Sequence, residues 1–275
     1  MPELPEVETV RSTLVPLLTG RTLARVAILD GRLTRPEAPD AVAAELEGEE
    51  VTDVRRRGKY LVVVFASGRH LLVHLRMTGS FQHPAAGDPD PHRRAVVTLD
   101  DGSVVAYRDV RRFGTWLLLE PGELDAYLDE RIGGEPLERA FTTARFARAL
   151  EGRRAPIKGA LLDQRAVAGV GNIYADEALW HARLHPECPA GDLEPGEVAD
   201  LRRAVRRVLR RGIERQGATL RDYRDANGRA GAMQHEFRVY GRGGEPCDRC
   251  GTPIAKTRVA GRGTWFCPAC QPAPR

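Results

Sequence analysis

The sequence predicts an α+β protein of several domains, in which an N-terminal helix and an antiparallel β-sandwich precede a helical region and a zinc β-hairpin finger. Three observations predict this class. Seven short β-rich runs lie before residue 121. Patterns with helical periodicity replace them from about Glu123 onward. Two Cys-x-x-Cys pairs stand near the end of the sequence.

The first element is a predicted helix over about the first 20 residues. Pro2 and Pro5 stand where a missing N–H group does no harm, and Glu3 and Glu6 suit the positive N-terminal end of a helix. Gly20 follows the last turn. The apolar stripe at helical spacing consists of Val7, Val10 and Leu14.

Short β-rich runs separated by turn residues follow this helix: TLARVAIL, VTDVRRR, KYLVVVFA, HLLVHLRM, RAVVTL, SVVAYRDV and GTWLLLE. Their close spacing predicts an antiparallel sandwich or barrel. The stretch DPDPHRR (88–94) between two of the runs is predicted to be a loop.

The helical part consists of five further patterns: ELDAYLDER, TTARFARALEG, PIKGALLDQR, NIYADEALWHARL and EVADLRRAVRRVLRRGIERQ. RIGGEPLER, with two glycines and a proline, is the predicted linker. The glycine-rich stretch after Gly217 has no clear period and is predicted to be a loop that orders around a ligand. The predicted domains are a β-sandwich domain (1–130), a linker (131–140), a helical domain (141–235) and a four-cysteine finger (236–275).

Composition favours a folded protein and gives only weak information about partners. Of the residues, 42% are hydrophobic and 29% are charged, close to globular averages. No apolar run reaches the roughly 18 residues that a membrane span needs, so we expect a cytoplasmic protein without membrane contact. Residues 241–275 carry six basic side chains against two acidic ones, an excess equal to the net charge of +4. Such a basic tail beside a cysteine cluster favours contact with phosphates.

The cysteine cluster predicts a metal site. Cys247 and Cys250 form one pair, Cys267 and Cys270 form another, and 16 residues separate the two pairs. This spacing is typical of a tetrahedral site with four thiolates, which leaves no open coordination position, so we expect one structural Zn²⁺. A pair of disulfides is the alternative, and the expected compartment disfavours it. Arg262 lies near the tip of the predicted hairpin.

The N-terminus offers a nucleophile if the initiator Met1 is removed, as the small residue after it favours. Pro2 would then carry a secondary amine, whose pKa near 8 leaves more free base at neutral pH than a lysine has. Attack by such an amine on a sugar carbon gives an iminium ion, an electron sink for Schiff-base chemistry. Glu3 and Glu6 are near enough in sequence to move protons, although both also suit the helix N-terminus. Lysine is rare here, so Lys59 suggests a need for a compact ammonium group.

Taken together, several motifs resemble the formamidopyrimidine-DNA glycosylase family. They occur in the expected order between Pro2 and Cys270, and their combination is much more specific than any one of them. The motifs are PELPEVET, RRGKYL, HLRMTG, DVRRFG, DQRAVAGVGNIYADEAL and the four-cysteine finger. The resemblance implies a monomeric bifunctional glycosylase and lyase that removes oxidised purines from duplex DNA and then cleaves the strand by β,δ-elimination.

The resemblance also implies residue roles. Pro2 is the nucleophile, Glu3 the proton shuttle, and Lys59 a general acid or phosphate partner, while Arg262 joins this catalytic set by clamping a phosphate from the finger. Residues 1–130 then form the catalytic domain, and 141–235 form a helix-two-turn-helix domain. The implied wedge that fills the gap left by a flipped nucleotide is formed by Met77, Arg111 and Phe113. Further contacts with DNA are implied for His92, Arg112, Lys158 and Asn172.

Simpler roles compete with several of these assignments. Met77 and Phe113 would more often be core residues, and Asn172 would more often only cap a helix. TLRDYRDANGRAG resembles the loop that encloses oxidised purines in this family, and together with Leu4 it disfavours the related endonuclease VIII branch, which acts on oxidised pyrimidines. Arg76 is larger than expected beside the wedge. A non-catalytic zinc-finger protein, or a relative without the chemistry, is the remaining alternative.

Overall fold

The computed structural model describes residues 1–83 and 90–274. The chain divides into two compact units. The first consists of Met1–Leu128 and Arg215–Ala232, and the second consists of Asp129–Glu214 and Met233–Arg275. Within the described residues, none of the helices combines the length and the hydrophobicity that crossing a membrane requires.

Helix α1 (Leu4–Leu18) opens the first unit, as predicted. The Glu6 carboxylate accepts the N–H of Glu3 at 2.8 Å, which satisfies one of the free donors of the first turn. The buried side of the helix contains Val7, Val10 and Leu14, so the predicted apolar stripe is confirmed.

Among the described residues of the first unit, eight strands form two antiparallel four-stranded sheets. The order is β1-β6-β7-β5 in one sheet and β2-β3-β4-β8 in the other. Seven strands coincide with the seven predicted runs. The strands are β1 (Leu23–Ile28), β2 (Val51–Arg57), β3 (Tyr60–Phe65), β4 (His70–His74), β5 (Gly79–Gln82), β6 (Arg93–Leu99), β7 (Val104–Asp109) and β8 (Thr115–Leu119).

One hydrophobic core joins the two sheets and α1. It includes Val10 from α1, Val105 from one sheet and Val73 from the other, all at most 3% exposed. The rings of Phe81, Tyr107 and Trp116 pack against one another in the same core, with centroids 5.2 to 6.4 Å apart. The sandwich therefore provides a rigid base for the turns at its edges.

Two short elements were not predicted from the sequence: strand β5 and helix α2 (Pro39–Leu46). Strand β5 pairs with β7 and contributes Phe81 to the core. Helix α2 buries Val42, Ala43 and Leu46. The predicted loop at 88–94 lies partly outside the described residues.

The segment 215–232 belongs to the first unit, whereas the sequence placed it with the helical domain. The Glu6 carboxylate accepts the N–H of Ala218 at 2.8 Å, and the Tyr223 hydroxyl donates to the Glu6 carbonyl at 3.2 Å. Ala226 is buried in the same core as α1. These contacts tie the segment to α1 in spite of its distance along the sequence.

The second unit contains most of the helical patterns. Helix α3 (Glu123–Asp129) ends at its boundary, and the helices within it are α4 (Thr143–Leu150), α5 (Ile157–Leu162), α6 (Asn172–Ala182) and α7 (Pro195–Glu214). The predicted linker is well anchored here: Ile132 and Glu135 are buried, and the Gly133 N–H donates to the Gln164 carbonyl at 2.8 Å. The predicted domain boundaries as such stay predictions.

The end of the second unit is the predicted β-hairpin, formed by β9 (Ala255–Val259) and β10 (Arg262–Phe266). Arg262 pairs with Val259 at the tip, across the turn formed by Ala260 and Gly261. The architecture therefore agrees with the predicted class: an N-terminal helix, two antiparallel sheets, a helical region and a cysteine-bearing hairpin.

Candidate active site and nucleic-acid interface

The N-terminal turn of α1 carries the predicted nucleophile and proton shuttle. Pro2 and Glu3 are buried, whereas Met1 is 48% exposed. Both Glu6 oxygens accept backbone N–H groups, one from Glu3 and one from Ala218. Glu6 is therefore held in place by segments that are far apart in sequence, and it orients the turn that bears Pro2 and Glu3.

The amino group at Met1 lies in a partly buried, charged environment. Burial lowers its pKa from the ordinary value of 8.0. The carboxylates of Glu3 and Glu6 oppose this shift, while the positive charges of Lys59 and Arg111 add to it. The first unit thus brings these four side chains near the chain terminus and favours a free-base amine there.

Lys59 lies on the turn between β2 and β3 and is only 4% exposed. The preceding Gly58 has a φ of 56°, and its carbonyl accepts from Arg56 at 3.0 Å. Arg56 also donates to Glu8 of α1 at 2.9 Å. The turn with Lys59 is therefore fastened to the first turns of α1, which places the ammonium group near the terminus.

Met77, Arg111 and Phe113 are exposed, so the core role that base rates favour for the two apolar residues is wrong. Met77 is 40% exposed and Phe113 is 52% exposed. The Arg111 guanidinium lies 4.8 Å from the centre of the Phe113 ring. The Arg111 N–H donates to the Thr78 hydroxyl at 3.0 Å, which links the turn after β4 to the segment between β7 and β8. The structure thus gathers the three predicted wedge residues on two linked turns.

The buried Asp109 carboxylate holds the two turns that carry the wedge residues. The side chain is 1% exposed and accepts from the Thr78 hydroxyl and from the backbone N–H groups of Arg111 and Gly114. A buried carboxylate with several donors is strongly oriented, and so are the segments that supply the donors. The exposed wedge residues therefore have a rigid support.

Arg112 turns away from its two neighbours and binds Asp30. The two side chains form a bidentate pair, with Nη2 2.8 Å from Oδ1, and Arg112 has a φ of 58°. The pairing lowers the pKa of Asp30 to about 2. His92 is half-buried, and its carbonyl accepts the N–H of Asp109 at 2.9 Å. Contacts of Arg112 and His92 with DNA stay predictions.

Asn172 and Arg262 lie close together in the second unit. Asn172 is the first residue of α6, and its Nδ2 donates to the Gly263 carbonyl at 3.0 Å. That carbonyl belongs to the residue immediately after Arg262. Arg262 is exposed, and its guanidinium makes no hydrogen bond or ion pair with the described part of the chain. An amide at a helix N-terminus beside an unpaired arginine is suited to binding a phosphate.

Lys158 does not have the position that the sequence predicted. Its side chain is fully buried on α5, and Nζ lies 2.7 Å from Oδ1 of Asp176. Nζ also donates to the Gly263 carbonyl at 2.9 Å and to the Thr264 hydroxyl at 2.8 Å. The structure therefore corrects the assignment of Lys158 to DNA binding, because a side chain enclosed in this way does not reach a phosphate.

The four cysteines of the finger converge and are all free thiols. Their sulfur atoms lie within 4.8 Å of one another, and Sγ of Cys250 is 3.5 Å from Sγ of both Cys267 and Cys270. A tetrahedral zinc ion with Zn–S bonds of 2.3 Å needs sulfurs about 3.8 Å apart. The Trp180 indole N–H donates to Sγ of Cys247 at 3.4 Å, as is usual around metal-bound thiolates. The four side chains thus fit the predicted zinc ion, and the disulfide alternative is wrong.

Sequence analysis missed three buried groups that shape these sites. His74 accepts the N–H of Arg76 through Nδ1 at 2.9 Å, and burial lowers the pKa of His74 to about 3, so the ring is neutral. Asp109 orients the wedge segments. Glu177 accepts the consecutive N–H groups that lead into the finger, those of Arg238, Val239 and Tyr240. Only the partners of these side chains reveal their roles, and those partners are distant in sequence or are backbone atoms.

Three family models match the chain in order. The formamidopyrimidine-DNA glycosylase N-terminal domain matches residues 1–116, and the formamidopyrimidine-DNA glycosylase H2TH domain matches residues 132–224. The zinc finger found in FPG and IleRS matches residues 244–273. The three matches cover the N-terminal helix and sheets, the helical region and the cysteine finger.

Full-length relatives and solved structures agree with these matches. A formamidopyrimidine-DNA glycosylase of Symbiobacterium thermophilum is 50% identical over 278 residues, which cover 100% of this chain and 90% of the relative. A mutant of Lactococcus lactis FPG in complex with a Fapy-dG containing DNA has a TM-score of 0.92 at 36% identity, covering 99% of this chain and 100% of the other. A complex of Lactococcus lactis Fpg with an abasic site containing DNA has a TM-score of 0.91 at 37% identity, covering 98% and 100%.

Proposed function

The chain belongs to the formamidopyrimidine-DNA glycosylase family, and we propose that its Pro2, exposed as the N-terminal amine after removal of Met1, is the nucleophile of the reaction. The protein is a DNA glycosylase and AP lyase that acts on oxidised purines, on formamidopyrimidine lesions and on abasic sites in duplex DNA. It acts on DNA in the bacterial cytoplasm. The alternative of a non-catalytic zinc-finger protein is not favoured.

The environment of the chain terminus is the observation that carries the proposal. Pro2 is buried directly after Met1, and burial lowers the pKa of the Met1 amino group. Attack of the Pro2 nitrogen on C1′ forms an N–C bond as the bond to the damaged base breaks, and the base leaves with the electron pair and gains a proton. The nitrogen loses its proton as the base gains one, and the C1′–O4′ bond then breaks with transfer of a proton to O4′. The resulting iminium ion makes the 2′ hydrogen acidic and so promotes β-elimination and then δ-elimination of the phosphates.

Glu3 moves protons in this scheme, and Lys59 supplies positive charge. Glu3 is next to Pro2 and buried, so its carboxyl group can pass a proton to the opening sugar ring and take it back. Lys59 is buried on a turn fixed to α1 and supplies positive charge for a phosphate beside the reacting sugar.

The exposed set of Met77, Arg111 and Phe113 fills the gap left by the flipped nucleotide. Met77 and Phe113 are exposed together on two linked turns, and a group of exposed apolar side chains is more often a contact site than a single one is. Insertion into a base stack is such a contact. His92 and Arg112 provide additional contacts with DNA on the same unit.

Asn172 and Arg262 bind phosphate in the second unit. The amide lies at a helix N-terminus, and the guanidinium extends from the hairpin tip. One structural zinc ion, held by Cys247, Cys250, Cys267 and Cys270, folds the finger that carries Arg262. The closed set of four thiolates leaves the ion without a catalytic position.

Borohydride trapping tests the nucleophile. The protein is incubated with duplexes that contain 8-oxoguanine or an abasic site, in the presence of borohydride, and the covalent protein–DNA adduct is quantified. Wild-type protein is expected to form the adduct on both duplexes. A variant with one alanine inserted between Met1 and Pro2 is expected to lose adduct formation and strand cleavage at least 100-fold, because each step needs the Pro2 amine.

A matched insertion separates this effect from general disruption. One alanine inserted after Gly102, at an open turn, is expected to keep full activity. Binding of both variants to a duplex with an uncleavable abasic analogue is expected to stay within about threefold of wild type. Strand cleavage by protein in which mass spectrometry finds Met1 retained contradicts the proposal.

A further inference from the structure

Lys158 is a fully buried charged group to which the proposed mechanism gives no role. Its ammonium group forms an ion pair with Oδ1 of Asp176 at 2.7 Å, and it donates hydrogen bonds to the Gly263 carbonyl at 2.9 Å and to the Thr264 hydroxyl at 2.8 Å. An ammonium group has three donors that can point in three directions, whereas a guanidinium group is planar. This geometry explains a lysine at 158 in a chain in which lysine is rare.

The partners of Lys158 belong to different elements. Lys158 lies on α5, Asp176 lies on α6, and Gly263 and Thr264 lie on β10. The second oxygen of Asp176 accepts the N–H of Trp265, also on β10, at 3.0 Å. The pair therefore fastens two helices to one strand of the finger. Each partner depends on the other, because a single charge left at 0% exposure would be strongly unfavourable.

The fastened strand carries a candidate phosphate ligand. The Gly263 carbonyl accepts from Lys158 on one helix and from the Asn172 amide on the next. Gly263 is bonded directly to Arg262, so the same carbonyl fixes the backbone of Arg262 and the side chain of Asn172. The two candidate phosphate ligands thus share one anchor point.

We propose that Lys158, paired with Asp176, is a positioning residue that holds Arg262 and Asn172 as a single preformed site for one DNA phosphate. The inference rests on the proposed phosphate-binding role of Arg262 and Asn172. Lys158 itself touches no DNA. It acts by holding the Gly263 carbonyl in place, so that the finger does not have to be ordered when DNA binds.

The dependence of binding on salt distinguishes positioning from a merely structural role. The variant Lys158→Met removes the donors and keeps the length of the side chain. The dissociation constant for a duplex with an uncleavable abasic analogue is measured from 50 to 300 mM salt. We expect affinity to fall about tenfold and the slope of log Kd against log salt to fall by about one, the change expected for one lost phosphate contact.

Four comparison variants complete the experiment. Arg262→Gln is expected to give the same loss, and Lys158→Met is expected to add less than twofold in the Arg262→Gln background. Lys256→Met also replaces a lysine with methionine, but Lys256 lies on β9 with its ammonium group over the Trp265 ring, so affinity is expected to stay within twofold. If Lys158→Met loses zinc or fails to fold, Lys158→Met with Asp176→Leu removes both buried charges and is measured in its place.

The outcomes separate the two proposals. Wild-type affinity and slope in the Lys158 variant, with a loss in Arg262→Gln, overturn the positioning role and leave Arg262 as a phosphate ligand. Wild-type affinity and slope in Arg262→Gln overturn the role of Arg262 and the positioning role with it. If the double variant loses affinity by the product of the two single-variant losses, the two residues act independently. Such a result also overturns the positioning role, provided that the Lys158 variant retains one zinc ion per chain.

Discussion

Asp30 illustrates how a single residue directs an exposed segment. Its carboxylate binds the Arg112 guanidinium through both oxygens, so Arg112 points toward the protein while the neighbouring Arg111 and Phe113 extend into solvent. This pairing lowers the pKa of Asp30 from 3.8 to about 2. A lowered folded-state pKa gives stability that is present above pH 3.8 and is lost as the pH falls toward 2.

The variant Asp30→Asn is expected to lose this pH-dependent contribution. We expect its free energy of unfolding to be lower than that of wild type by about 1 kcal/mol at pH 6, since solvent screens the half-exposed Arg112. The difference is expected to shrink between pH 4 and pH 2. Urea unfolding at pH 6 and pH 2.5 measures it. An equal difference at the two pH values would show that the charge pair is not the cause.

Single residues also show what sequence can and cannot predict about the site. Pro2, Glu3 and the four cysteines follow from local patterns, because a chain terminus and a metal-ligand spacing are visible in sequence. Lys158 is different. Its burial depends on Asp176 and on the finger strand, about 100 residues further along, and a residue type gives no sign of such partners.

At the scale of elements, the turn between β7 and β8 depends on a glycine. A Cβ atom at Gly114 would overlap the Tyr107 hydroxyl and lie 3.0 Å from the Asp109 carboxylate. The Tyr107 hydroxyl is buried and has no hydrogen-bond partner among the described residues. The turn between β7 and β8 thus packs directly against this hydroxyl, and it has no room for a residue larger than glycine at position 114.

Substitution of this glycine tests the packing. Gly114→Ala is expected to destabilise the protein by about 2 to 4 kcal/mol, because the added methyl group has to displace a buried ring. Tyr107→Phe alone is expected to change stability by less than about 1 kcal/mol and to recover part of the loss in the double variant. Thermal unfolding of the four proteins gives the coupling. Strictly additive effects would contradict the proposed clash.

Folding of the finger depends on its zinc ion. Cys250→Ala leaves three thiolates, so the variant is expected to lose the zinc ion and to bind DNA at least tenfold more weakly, because metal binding and folding of such a finger are coupled. Cys188→Ala, which changes the cysteine outside the cluster, is expected to keep both properties. Zinc content and a binding titration provide the check. Normal affinity without zinc would show that the finger is dispensable.

Sequence patterns predicted the long elements and missed the short ones. The seven strands with β-branched residues and the helix α7 have clear periods. Strand β5 has four residues, GSFQ, and is held by its pairing with β7 rather than by its own propensity. Helix α2 has eight residues and Ala38 as its N-cap, without a side-chain cap. Both elements depend on tertiary contacts that a local pattern does not contain.

At the scale of the whole molecule, charge placement matters more than net charge. The net charge is only +4, and the residues from 241 onward carry an equal excess. Many arginines elsewhere are paired with acidic side chains, as Arg21 is with Asp101 at 3.0 Å. Unpaired cations such as Arg262 are the ones available to phosphates, so affinity for DNA should depend on a few positions.

Salt titrations test this dependence for the whole protein. Arg262→Gln is expected to lower the slope of log Kd against log salt by about one. Arg21→Gln removes the same charge beyond the far end of α1, about 22 Å along the helix from Glu3, and is expected to leave the slope unchanged. Equal changes in the two variants would mean that net charge, rather than position, sets the affinity.

Residues 215–232 are late in the sequence but belong to the first unit, and this affects how the protein folds during its synthesis. Glu6 and α1 emerge from the ribosome early, but Ala218 and Tyr223, which contact them, are made only after about four-fifths of the chain. The sandwich can form its sheets before then, yet the Glu6 carboxylate gains the N–H of Ala218 only after that later segment has been made. The amino-terminal turn is therefore among the first parts of the protein to be synthesised, but its contacts are complete only after Tyr223 has been added.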